Sequence, residues 1–245
     1  MIRDFFVGVY PAIKAFGLEH IIISFLFIIG LVLIVINKKK IHNISSKNKR
    51  KITIYIISIL FLNMTIYYLA KVFYGTFDYI NNLPLHFCFI SGYLFMYAWL
   101  TKNIKLIKLT YFCGFLGPFV AMIWPNPPTY ISYTFYQFII SHHFFFLGNL
   151  FLYYAYNYQI KKSDYFKVFI VVNIIFLTVG IFNAVFNTNY IMSKSLPEFF
   201  LNLYPFFRNY NYTVLWVELG GIVAALIAYI PVYFNKNKKF INVIN

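Results

Sequence analysis

Charge is what this chain has least of. Only 11% of its 245 residues are Asp, Glu, Lys or Arg, and only six are acidic. Soluble domains carry about 25% charged residues, and a soluble core of this size buries only about 70–75% of the surface its unfolded chain exposes. With 61% apolar residues and a mean hydropathy of +0.70, a water-soluble globule is excluded. Cysteine is equally scarce. Cys88 and Cys113 both fall within apolar runs, which argues against a disulfide framework. The first 18 residues lack a basic start, an apolar core and a small-residue cleavage site in succession, so no removable signal peptide is expected. Familiar catalytic strings are missing too. There is no serine in a nucleophile elbow, no glycine loop that cradles phosphate, and no His-Glu-x-x-His zinc helix.

What the chain has is apolar length. A helix needs about 20 apolar residues to cross the hydrocarbon core. Seven segments qualify, at roughly 18–36, 52–73, 84–101, 106–124, 132–155, 166–186 and 213–234. Their length and the lack of period-two alternation exclude membrane strands. A turn at Trp124-Pro125-Asn126-Pro127-Pro128 separates the fourth segment from the fifth. The expected fold is all-α: one polytopic transmembrane helix bundle spanning 1–245, with about seven spans.

A formal charge of +15 raises the possibility of a nucleic-acid partner, but the basic residues sit in short clusters between apolar runs. Such clusters mark the cytoplasmic side of a membrane and attract anionic headgroups. Lys38–Lys40, Lys47 to Lys51, Lys102 to Lys108, Lys161 to Lys167 and Lys236 to Lys239 place sixteen basic residues on one side, against five on the other (Arg3, Lys14, Lys71, Lys194 and Arg208). The amino terminus is therefore expected outside and the carboxyl terminus in the cytoplasm of a cell-membrane, multi-pass protein. The skew toward Lys, Ile, Asn, Phe and Tyr reads as nucleotide-composition bias.

Ionisable groups within a bilayer cost about 2.5–3.5 kcal/mol each on insertion scales, so each needs a reason. Glu19 and His20 lie in the first segment, His86 and Cys88 in the third, His142 and His143 in the fifth, and Glu218 in the seventh; Asn187, Asn189 and Tyr190 follow the sixth. By the expected topology all fall toward the outer half. Structural readings stand beside each. Glu19 and His20 suit an interface, His86 can satisfy a neighbouring carbonyl, Glu218 can pair with Arg208, and a lone cysteine is usually an inert apolar filler. His142 lies too deep for interfacial solvation. His143 faces about 100° away from it and reads as structural. Two chemistries remain open: Cys88 as a nucleophile with His142 as its base, or a metal held by His20, His86 and His142.

The strings Phe16-Gly17-Leu18-Glu19-His20, Leu83-Pro84-Leu85-His86-Phe87-Cys88, Tyr111-Phe112-Cys113-Gly114, Phe138-Ile139-Ile140-Ser141-His142 and Asn187-Thr188-Asn189-Tyr190, with Glu218, resemble the YwaF family of bacterial membrane proteins. That family usually carries a small residue where this chain has His143, which favours His142 as the functional histidine. The family is similar to a eukaryotic transmembrane protein described as a cysteine-dependent lysophospholipid acyltransferase. The resemblance implies Cys88 as nucleophile and His142 as its partner. His20, His86, Asn189, Tyr190 and Glu218 are expected to bind substrate, with His86 or Asn189 donating to an oxyanion. Membrane lipids are the expected partners, as acyl donor and as lysolipid or lipoprotein acceptor, with no cofactor and no nucleic acid. A metal-dependent lipid hydrolase and a lipid or small-molecule transporter are the alternatives.

Overall fold

The computed structural model describes residues 2–123, 127–196, 201–202, 205, 208 and 213–235. Among them the chain is helical with no strand, apart from one isolated bridge between Ala12 and Pro128. The helices are α1 (Ile2–Val7), α2 (Leu18–Ile36), α3 (Lys38–His42), α4 (Ser46–Phe73), α5 (Phe87–Leu100), α6 (Ile104–Ile123), α7 (Tyr133–Tyr156), α8 (Lys162–Phe186) and α9 (Thr213–Tyr233), with a single 3₁₀ turn at Tyr190–Met192. Five of them, α2, α4, α6, α7 and α8, are long and apolar enough to cross a membrane, and α5 and α9 are shorter apolar helices. These seven coincide with the seven apolar segments, and the fold is a polytopic helical membrane bundle. The tail lysines 236, 238 and 239 and the turn residues Trp124, Pro125 and Asn126 lie outside the described residues.

Three boundaries differ from the sequence expectation, each for a physical reason. Helix α4 begins at Ser46, not near 52, because Ser45 caps it by accepting the Asn48 amide. Lys47, Lys49, Arg50 and Lys51 thus extend the helix beyond the lipid, not the loop. Helix α8 likewise starts at Lys162, where the Asp164 carboxylate accepts the Lys161 amide at 2.9 Å. Helix α5 starts three residues later than the expected third span. The chain turns through Pro84 and Leu85, and His86 is the extended N-cap residue (φ −66°, ψ 141°), not part of the span.

Packing follows the chain. Helices α6 and α7 form the centre: α6 touches α5, α7, α8 and α9, while α7 touches α2, α3, α4 and α6. Helices α7 and α8 both end on asparagines in the left-handed conformation, Asn157 (φ 47°) and Asn187 (φ 52°), a conformation that asparagine tolerates and that stops a helix. Most of α2 and α8 faces outward with Leu, Ile, Val and Phe, as a lipid-facing helix must. The two ends of the bundle differ in charge. One carries the basic loops; the other carries the α4–α5 and α6–α7 connections and the 187–196 stretch. At the lysine-poor end, Ile13 donates to the Pro127 carbonyl and Thr129 to the Pro11 carbonyl, so the amino-terminal segment lies against the α6–α7 connection.

The lysine-rich half of the bundle is more polar inside than its sequence suggests. Tyr111, Tyr153, Tyr158, Asn157 and Asn235 are all buried there. The Tyr111 hydroxyl donates to the Ala228 carbonyl at 2.9 Å, and the Asn235 amide donates to Asn157 Oδ1 at 2.8 Å.

Candidate functional site

Helix α5 has 14 residues, so it rises only about 21 Å, short of the roughly 30 Å hydrocarbon thickness. Some non-helical backbone before it must therefore sit at membrane depth, which is tolerated only where protein satisfies its polar groups. Tyr190 does this. Its hydroxyl donates to the Ile80 carbonyl at 2.6 Å and accepts the Leu83 amide at 2.9 Å, and its ring meets the His86 ring edge-on at 4.9 Å. Tyr190 is in turn held by Asn183, which is fully buried at the end of α8. Asn183 Oδ1 accepts from the Tyr190 amide (3.0 Å) and the Thr188 hydroxyl (2.6 Å), and its Nδ2 donates to the Tyr190 carbonyl (2.8 Å) and Ser193 Oγ (2.6 Å). One side chain thus fixes the turn that fixes the approach to α5.

Cys88 occupies the first turn of α5, half-buried. The rings of Tyr67 and Tyr68 of α4 both pack on Phe89, the residue that follows Cys88. Cys88 heads a stripe with Ser91, Gly92, Phe95 and Trp99, one helical face pointing into the bundle, where the last four are buried. Lower down, Phe95 meets Phe145 of α7 at 5.4 Å between ring centres.

That contact sets the register to His142. Helix α6 runs back between α5 and α7, so those two run the same way. Counting back along both from the Phe95–Phe145 contact puts Cys88 level with Phe138, and His142 about one turn, roughly 6 Å, deeper. His142 is buried, and its Nδ1 lies 2.7 Å from the Phe138 carbonyl. A carbonyl can only accept, so Nδ1 carries the proton and Nε2 presents a bare lone pair. The Phe138 ring covers the imidazole at 4.2 Å. Beside it, Asn63 of α4 donates to the Gln137 carbonyl (3.0 Å) and to Ser141 Oγ (2.9 Å), a polar seam locking α4 to α7. His143 points elsewhere, edge-on to Phe27 of α2 at 5.3 Å.

The remaining candidates part company. His20 is buried with both ring nitrogens in use. Nδ1 accepts the Phe16 amide at 2.8 Å, which leaves Nε2 to donate to the Met122 carbonyl at 2.8 Å. It ties the start of α2 to the end of α6 and has no lone pair to offer. Among the described residues no three His, Cys, Asp or Glu side chains converge as metal ligands, and His20, His86 and His142 are not brought together. The alternative three-histidine metal set therefore has no converged ligands among the described residues. Asn189 gives its side-chain amide to the carbonyl and hydroxyl of Ser195 (2.9 and 3.0 Å), so it is turned into its own loop. Glu218 takes a 3.5 Å contact from the Asn173 amide, in a cleft that also contains Cys113. His86 is exposed and, among the described residues, its ring nitrogens make no hydrogen bond.

Residues 15–229, which hold every one of these side chains, match the TMEM164 family. The chain belongs to the TMEM164 family. It is thus a member of a transmembrane family, in agreement with the helical bundle. Comparison with the curated proteins and with the solved structures finds no match. The YwaF name and the acyl-transfer chemistry that the sequence resemblance implies are separate from this membership.

Three site residues of this TMEM164-family chain escaped the sequence reading: Asn63, Asn183 and Tyr67. Asn63 and Asn183 are buried amides within spans, and a mid-span asparagine is as costly unpaired as a histidine. That signal was present. Tyr67 had none, because tyrosine is common throughout the chain.

Proposed function

We propose that this chain is a membrane enzyme that transfers an acyl chain through a thioester on Cys88, at the lysine-poor end of the bundle. The observation that carries the reading is the placement of Cys88. Its thiol lies in the first turn of a short helix, on the same interior face that meets the helix bearing the bare Nε2 of His142.

The Cys88 thiol gives its proton to His142 Nε2, the open nitrogen about one turn deeper. The thiolate attacks the ester carbonyl of a membrane lipid. The oxyanion is met by the amides at the start of α5, with His86 as a further donor at the rim. The carbon–oxygen bond breaks, and the departing alcohol takes the proton from His142. A lysolipid hydroxyl or a lipoprotein amine then attacks the thioester and regenerates the thiol. Tyr190 positions His86 and the approach to Cys88; Glu218, paired with Asn173, stands apart from this path.

The test is a trapped intermediate. Purified protein in lipid nanodiscs should accumulate an acyl adduct on Cys88 that hydroxylamine removes. Cys88→Ala should lose the adduct and the transfer activity, and lipid and lipoprotein profiles of cells with and without the chain should differ. A fully active Cys88→Ala variant ends the thioester proposal.

A further inference from the structure

A cavity also lies at the other, lysine-rich end of the bundle. Between the start of α6 and the start of α8 is a groove of about 470 Å³. Lys105, Lys108, Lys161 and Lys167 line it, with Asp164 as its one acidic wall residue. Asp164 is spent locally: its Oδ2 holds Lys108 at 3.0 Å and the Lys161 amide at 2.9 Å. One carboxylate against four ammonium groups leaves the groove with a net charge of about +3 at neutral pH.

The groove is not only cationic. Ile104, Leu109, Val168 and Val171 give it an apolar wall. Charged and apolar surfaces thus share one cavity. Diffuse attraction between surface lysines and anionic lipid needs no cavity; a cavity with both surfaces fits an amphiphile. We propose that this groove binds an anionic glycerophospholipid, its phosphate among Lys105, Lys161 and Lys167 and one acyl chain against Leu109, Val168 and Val171. The site is separate from Cys88 and does not depend on the acyl-transfer reading.

Native mass spectrometry of the full chain released from nanodiscs tests it, with phosphatidylglycerol or phosphatidylcholine as the lipid. The wild type should retain one phosphatidylglycerol and little phosphatidylcholine. Replacing exposed Lys105, Lys161 and Lys167 by Gln leaves the Lys108–Asp164 pair intact, and should weaken retention by roughly fivefold per lysine. A control with Lys38, Lys39 and Lys40 changed to Gln removes the same charge elsewhere and should retain the lipid. Val168→Trp crowds the apolar wall without touching a charge, and should also release the lipid while inorganic phosphate stays unable to displace it from the wild type. Equal loss in the control would overturn the site in favour of diffuse attraction. Displacement by inorganic phosphate, or full retention in a folded Val168→Trp protein, would reduce it to an anion site with no lipid chain.

Discussion

Tyr190→Phe isolates the contact on which the Cys88 region depends. The substitution keeps the ring, and with it the edge contact to His86 at 4.9 Å and the packing on Phe182 at 5.9 Å. It removes only the hydroxyl, and with it the bonds to the Ile80 carbonyl and the Leu83 amide. Each intramolecular hydrogen bond contributes about 1 kcal/mol net, so the 80–86 turn should lose about 2 kcal/mol of local stability. That corresponds to roughly a thirtyfold rise in the fraction of time the turn is open. Hydrogen exchange resolves the effect. Amides in the turn and at the start of α5 should exchange roughly thirtyfold faster, while those of α6 and α7 stay unchanged. A thiol reagent should likewise react faster at Cys88 but not at Cys113, which is 2% exposed within α6. If exchange at Leu83 is unaltered in the variant, Tyr190 does not hold this turn, and the account of the short α5 helix fails.

Three other outcomes are expected. Gly114→Ala should destabilise the bundle by about 1–3 kcal/mol in an SDS unfolding titration, because a Cβ at Gly114 would collide with the amide of fully buried Asn149. The Asp78 carboxyl, in the connection before α5, is held below its ordinary range by hydrogen bonds from the Asn81 side chain and then from the Asn81 and Ile80 amides. Its folded value is depressed, so its support of the turn is present above the unfolded value, about 3.9, and is lost as pH falls through the folded one; faster exchange of residues 78–82 at low pH, abolished in Asp78→Asn, checks it. His142→Ala should cut acyl transfer by about 10²-fold or more, while His143→Ala, whose ring faces Phe27, should leave turnover nearly intact.

The fold was legible because membrane insertion is a coarse criterion. A bilayer demands length and apolarity, and segments such as 18–36 meet both along their whole run; α2 occupies that range. Boundaries were less legible where that demand stops. The lysines of 47–51 look like a loop, yet helix can continue into water once a cap such as Ser45 starts it. Pro84 looks like the start of a span, yet the turn after it delays α5 to Phe87. The buried tyrosines of the lysine-rich half were hidden by abundance. In a chain with 23 tyrosines, no single one stands out.

The site shows a different limit. Sequence finds which polar residues a membrane must explain, and His20, His86, Cys88 and His142 were found that way. It does not say what each nitrogen is bonded to. His20 and His142 are indistinguishable as costly buried imidazoles. The fold separates them by one carbonyl each: Met122 takes the last free position of His20, while Phe138 takes the proton side of His142 and leaves its base side open. A three-histidine metal site and a cysteine–histidine pair place opposite demands on His20, since a ligand needs a free lone pair and a structural tie needs none. Its Nδ1 lone pair is filled by the Phe16 amide. The region therefore offers one open imidazole in the interior, His142, one at the rim, His86, and one thiol in the first turn of α5, the three groups on which the proposed acyl transfer rests.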